Sequence, residues 1–67
     1  MMTINGFPRI SVDPAICGGR LVVAGTRLRV ADVLDMLAGG ASEAEIVVDY
    51  PYVNTADVRA CLAYAAI

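Results

Sequence analysis

Few side chains in this sequence could do chemistry: Cys17 and Cys61, five arginines and seven carboxylates, with no histidine and no lysine. Nucleophilic catalysis needs a base beside the cysteine, serine or threonine, and neither histidine nor lysine is present to supply one. Two cysteines without histidine cannot complete a four-ligand zinc site within one chain. The expectation is therefore two reduced thiols, no metal and no cofactor. The stretch Gly18-Gly19-Arg20-Leu21-Val22-Val23-Ala24-Gly25-Thr26 has the outline of a phosphate loop, but no Lys precedes its Thr and no strand-loop-helix unit surrounds it. Its glycines read instead as turn positions or points of close backbone approach. The carboxylates fall at helix caps and on outward helix faces, where solvated structural roles are the default. A chain of 67 residues rarely forms the concave pocket that a small-molecule substrate needs. The expectation is a binding module and not an enzyme.

The arginines remain. Arg27 and Arg29 lie two apart on an alternating segment and so point the same way, with Arg9 and Arg20 nearby in sequence and Arg59 further on. Arg20, Arg27, Arg29 and Arg59 are the candidate contacts to a partner or to nucleic acid. They suit phosphate or an acidic patch on a protein, and the alternative is that they are solvated or ion-paired groups keeping an apolar domain soluble. Net charge is −2, unevenly placed: residues 1–30 carry +3 and residues 31–67 carry −5. A basic head and an acidic body can pair between copies, or the head can face a polyanion. Without lysine, non-specific nucleic-acid binding by bulk charge is not expected.

These groups must be positioned by short elements. Residues 1–8 read as a loose lead, and residues 9–30 as a short β-element. Arg9-Ile10-Ser11-Val12 and Arg27-Leu28-Arg29-Val30 alternate polar and apolar, the period of a half-buried strand, and could pair as a ribbon. Between them Leu21–Ala24 is a short apolar, β-branched run. From Val30 the period changes, since Val30, Val33, Leu34 and Leu37 form a helical stripe closed by Gly39-Gly40. Ser42-Glu43-Ala44-Glu45 is a capping box that starts a second helix, which must stop before Pro51. A third helix follows its N-cap Asn54, with Val58, Cys61, Leu62 and Ala65 as its apolar face. The predicted fold is mostly α: a helix-turn-helix-like three-helix bundle over residues 30–66 behind a short β-hairpin or ribbon, all in one domain. The third helix carries one cation, Arg59, which is poor equipment for reading base edges.

Apolar residues make up 58% of the chain. By size scaling a folded chain of this mass exposes about 4,000 Å² and buries only roughly 60% of what the unfolded chain exposes. That apolar surplus predicts an exposed patch and a protein partner. The predicted homodimer interface is Leu21, Val22, Val23, Leu28 and Val30, where a β-edge would join two copies. No apolar run reaches the roughly 18 residues of a membrane span, and Met1-Met2-Thr3-Ile4-Asn5-Gly6 has no signal-peptide pattern. A cytoplasmic location is expected.

Several motifs also fall in a familiar order: Asp13-Pro14, Ile16-Cys17-Gly18-Gly19-Arg20, Gly25-Thr26-Arg27, Val30 with Asp32, Gly40-Ala41-Ser42 with Glu45-Ile46, Asp49-Tyr50-Pro51, and Asp57-Val58 with Ala63-Tyr64-Ala65. Over about residues 10–65 the sequence resembles the small prokaryotic family called domain of unknown function 433. The resemblance implies a homeodomain-like three-helix fold. It further implies an antitoxin role in a toxin–antitoxin system: the protein, often a dimer, would silence a PIN-like ribonuclease toxin, with repression at its own operator DNA as a further possibility. It brings no catalytic residues. The sequence departs from the family pattern at Leu21 and Arg29, where proline is usual, and at Ala31, where a capping Ser or Thr is usual. It ends at Ile67, where relatives often continue past the third helix.

Overall fold

Ile10 and Ser11 are adjacent in a strand, so their side chains leave opposite faces, and both have 0% exposure. The small sheet is therefore covered on both sides at this point. In the computed structural model, which describes residues 2–67, that strand is β2 (Phe7–Val12), paired antiparallel with β1 (Met2–Ile4) on one side and β3 (Val22–Val23) on the other. Ser11 stands opposite Thr3 in β1 and Val22 in β3, and the β1–β2 register shifts between Thr3 and Ile4. The expectation of a loose lead over residues 1–8 is thus corrected for its described part: residues 2–8 hold β1 and the start of β2. Asn5-Gly6 makes the reversal between them, with Gly6 at φ +83°, a conformation that suits the residue without a side chain.

The predicted ribbon between Arg9–Val12 and Arg27–Val30 is also corrected. β2 pairs with Val22–Val23, and Arg29 contributes one isolated bridge to Val22. Thr26 explains why its neighbours do not extend into a strand. Its hydroxyl donates to the Val23 carbonyl at 2.8 Å and accepts from the Leu28 amide at 3.0 Å. The Thr26 amide closes the same turn onto Val23, so the chain reverses at Ala24-Gly25 and brings Leu28 back beside Val23.

Three helices follow: α1 (Val30–Ala38), α2 (Glu43–Asp49) and α3 (Thr55–Ala65). Ser42 and Glu45 close a reciprocal capping box, with the Glu45 amide donating to Ser42 Oγ and the Ser42 amide to Glu45 Oε1. Asn54 and Asp57 do the same for α3. α1 lacks such a cap: its N-cap is Arg29, and no side chain accepts from its first amides. Asp32 does not compensate there, because both its oxygens accept from the Arg29 guanidinium, at 2.9 and 3.1 Å. Gly40, at φ +102°, turns the chain after α1.

The core draws on every layer: Ile10 and Val23 from the sheet, Leu28 from the turn, Val30 and Val33 from α1, Ile46 from α2, Val53 from the next loop, and Val58 and Cys61 from α3. Leu62 and Ala65, expected on the buried face of α3, are exposed. The Phe7 ring meets Tyr64 edge-on at 5.4 Å between centroids, seating the start of β2 on the end of α3. The architecture is a mixed α/β globule, three helices behind a three-stranded antiparallel sheet. No helix among the described residues is long and apolar enough to cross a membrane.

Candidate docking faces

The motif residues of the loop after β2 are mostly architectural. Asp13 Oδ1 accepts the Ala15 amide at 2.9 Å, and the Asp13 carbonyl accepts from Ile16. Cys17, Gly18 and Gly19 all have positive φ, which curls the backbone into a tight 3-10 turn over Cys17–Gly19. The Cys17 thiol sits 3.4 Å from the Arg27 carbonyl, linking this loop to the turn after Thr26. What the loop and turn leave outside are the side chains of Arg20 and Arg27, both exposed.

Five arginines divide into two kinds. Arg9 donates to Asp57 at 3.1 Å, Arg29 forms its fork with Asp32, and Arg59 reaches Glu43 at 3.3 Å. Hydrogen bonding to Asp32, and then that carboxylate's charge, raises the Arg29 pKa above its already high value. Arg20 and Arg27 have no carboxylate partner among the described residues. Of the four arginines expected to meet a partner, Arg20 and Arg27 have no ion pair among the described residues, while Arg29 and Arg59 are each paired with a carboxylate of the same chain.

The predicted dimer interface fares differently. Val22, Val23, Leu28 and Val30 are only 1–6% exposed. They belong to the chain's own core because β3 is an inner layer, flanked by β2 and by the returning Leu28–Val30 segment. They cannot line an interface in this fold. Leu21, half-buried, is the one predicted interface residue that reaches an open surface.

That surface is a groove of about 460 Å³ between the Gly19–Leu21 segment, the first turns of α1 and the end of α3. Leu21, Leu34 and Tyr64 give it an apolar floor, and Arg20 and Arg29 stand at its rim. A second open recess, of about 510 Å³, lies where Ile16, Gly25, Thr26 and Arg27 face Tyr52. Tyr52 is 59% exposed and packs edge-on against Tyr50. A third, shallower depression runs over the outer face of α2, past Ala44, Glu45, Val48 and Asp49. Val48 there is 78% exposed. Neither Val48 nor Tyr52 is among the candidate contact residues that the sequence singles out. The signal for Val48 was present: it lies three residues after Glu45 and one before Asp49, on the helix face that points away from Ile46.

No group of three or more metal-binding side chains occurs among the described residues. The carboxylates of Asp32, Glu43, Glu45 and Asp57 are engaged in caps or ion pairs. Cys61 is buried in the core, and desolvation, then the nearby Asp57 charge, pushes its thiol up to about 11. It is a poor nucleophile at neutral pH. The arrangement offers apolar floors edged by guanidinium groups, the equipment of a protein-binding surface.

A family model described as "Protein of unknown function (DUF433)" matches residues 10–65. Among solved structures, the crystal structure of a DUF433 member protein from Anabaena variabilis ATCC 29413 is similar, with a TM-score of 0.79 at 28% sequence identity. The likeness covers 84% of this chain and 55% of that one, so the chain spans little more than half the length of this relative. No curated protein matches the chain.

Proposed function

We propose a function from the premise that this chain belongs to the DUF433 family, whose model spans residues 10–65: it is a non-catalytic, antitoxin-like binding module of the cytoplasm. In this reading it dimerises and neutralises a PIN-like ribonuclease, and its three helices are an embellished homeodomain-like unit. One observation carries the binding reading. Two open apolar recesses, one beside Arg20 and one beside Arg27, are each edged by a guanidinium that has no ion-pair partner among the described residues. A module with two such faces can hold a second copy on one and a different partner on the other. We assign the Arg27–Tyr52 recess to the nuclease, because tyrosine and arginine are among the residue types enriched at the energetic centres of protein interfaces. The antitoxin role itself is supported by the family resemblance alone.

The alternative, an operator-binding autoregulator that uses the helix-turn-helix with Arg20, Arg27 and Arg29, has less behind it, since Arg29 is committed to Asp32. The sole cation of α3 is Arg59, which is paired with Glu43, and the exposed positions around it include Leu62, Ala63 and Ala66.

The test is co-expression with any PIN-like nuclease that the neighbouring genes of the native host encode. Growth rescue by the wild-type chain, lost in Arg27→Glu and Tyr52→Ala while both variants remain folded, supports the proposal. Absence of rescue by the wild-type chain, together with no complex on co-purification, overturns it.

A further inference from the structure

Among the described residues Asp49 and Arg20 are an anion and a cation without an ion-pair partner, on two separate elements of one chain. Asp49 is the last residue of α2, and no basic residue lies in that helix's last turn. A carboxylate there faces the negative end of the helix, an unfavourable placement that a nearby cation reverses. Asp49 also follows Glu45 by four residues, so two like charges share one helix face. Among the described residues neither of these strains is relieved by an arginine from the same chain. Between the two carboxylates stands Val48, an isopropyl knob with 78% of its surface in water.

The groove beside Arg20 has the opposite character. Its floor is apolar, its rim carries Arg20 and the partly neutralised Arg29, and no acidic side chain lines it. The groove and the outer face of α2 share no residue. Each copy of the chain can therefore present α2 and receive α2 at the same time.

We infer that a second copy of this chain fills the groove, placing the outer face of its α2 there with Val48 against Leu21, Leu34 and Tyr64 and with Asp49 opposite Arg20. The exchange is reciprocal and closes as a two-fold dimer. Closure matters because one short helix in one groove buries too little for a stable pair, whereas two equivalent contacts can share the roughly 1,600 Å² that a standard interface removes from solvent. This geometry deepens the binding-module reading and rests on it for the claim that the protein works as a dimer.

Sedimentation equilibrium of the purified full chain tests it, with Arg20→Glu and Asp49→Arg. Both sites are exposed, and unfolding curves verify that each variant is folded. The wild type should sediment as a dimer. Each single reversal should raise the dissociation constant about tenfold or more, since the contact occurs twice per dimer. In an equimolar mixture of the two variants both contacts pair opposite charges, so heterodimers should form while each variant alone stays dissociated. A monomeric wild type, unchanged single variants, or a mixture that fails to associate would each overturn the inference. Nuclease neutralisation is scored separately. Rescue by a monomer removes this dimer and leaves the proposed function standing, whereas a charge-rescued dimer that neutralises nothing does the reverse.

Discussion

The Asp57 carboxylate performs two tasks for two different parts of the chain. Its Oδ2 accepts the Asn54 amide at 2.9 Å, completing the α3 cap, and its Oδ1 accepts from Arg9 Nη1 of β2 at 3.1 Å. The start of α3 is thereby tied to the sheet across 48 residues of sequence.

Removing Asp57 should cost more than an ordinary surface ion pair. Asp57→Ala loses the reciprocal cap as well as the Arg9 contact, an expected loss of about 1–2 kcal/mol. Arg9→Ala loses only the ion pair, and because the Arg9 side chain is 49% exposed the expected loss is below about 1 kcal/mol. Urea unfolding of both single variants and the double variant gives the coupling, expected at about 0.2–1 kcal/mol.

Ser11 offers the opposite kind of change. Its hydroxyl is fully buried and finds no hydrogen-bond partner among the described residues. An unsatisfied buried polar group carries a desolvation cost, so Ser11→Ala should stabilise the domain, by about 1 kcal/mol. A lower midpoint in thermal melting of Ser11→Ala would refute this account of the site.

The core is small enough that one truncation matters greatly. Ile46 is 1% exposed and links α2 to the core shared with the sheet. Ile46→Ala should cost about 2–5 kcal/mol, against a total of about 3–10 kcal/mol expected for a domain of this size. Circular dichroism at 37 °C should show Ile46→Ala substantially unfolded, and Val48→Ala, on the exposed face of the same helix, unchanged.

Thiol chemistry should separate the two cysteines. With burial holding the Cys61 pKa near 11, alkylation of the native protein near neutral pH should label Cys17 first and Cys61 only after unfolding. The sign of the pH effect follows from the neutral thiol being favoured in the fold. Its contribution is whole below the ordinary thiol value of 9.0 and is lost as pH climbs through about 11. Urea midpoints measured across that window should fall for the wild type, and fall less for Cys61→Ala, which has no thiol to ionise.

The helical half of this fold was legible because its signals are local. Ser42 with Glu45, Asn54 with Asp57, and Gly39-Gly40 each determine a helix end through atoms a few residues apart. The β-half was less legible because its signals are short or shared. Met2-Thr3-Ile4 is too brief to display a period, although Asn5-Gly6 marked the hairpin. Arg27–Val30 has a strand's alternation, yet Thr26 binds the turn and Arg29 serves α1. Ser11 looked outward-facing by alternation, since nothing in the sequence says that the sheet is covered twice. The same blindness placed Val22, Val23, Leu28 and Val30 at an interface. An apolar run announces burial, and only the tertiary arrangement decides whether the covering surface is the chain's own. The sequence sets Arg20 and Arg27 beside Arg29 and Arg59 as equal candidates, and what separates the two pairs is where Asp32 and Glu43 come to lie.

The edge-on contact between Phe7 and Tyr64 has a consequence for how the protein is made. The strands leave the ribosome well before the helix end that covers them. Until Tyr64 emerges, Phe7 has no ring to cover it, and a chain halted before Asn54 would hold a complete hairpin without the helix that seats it. Seating of the sheet must then wait for α3, and termination before that helix should yield aggregates in place of a smaller folded product.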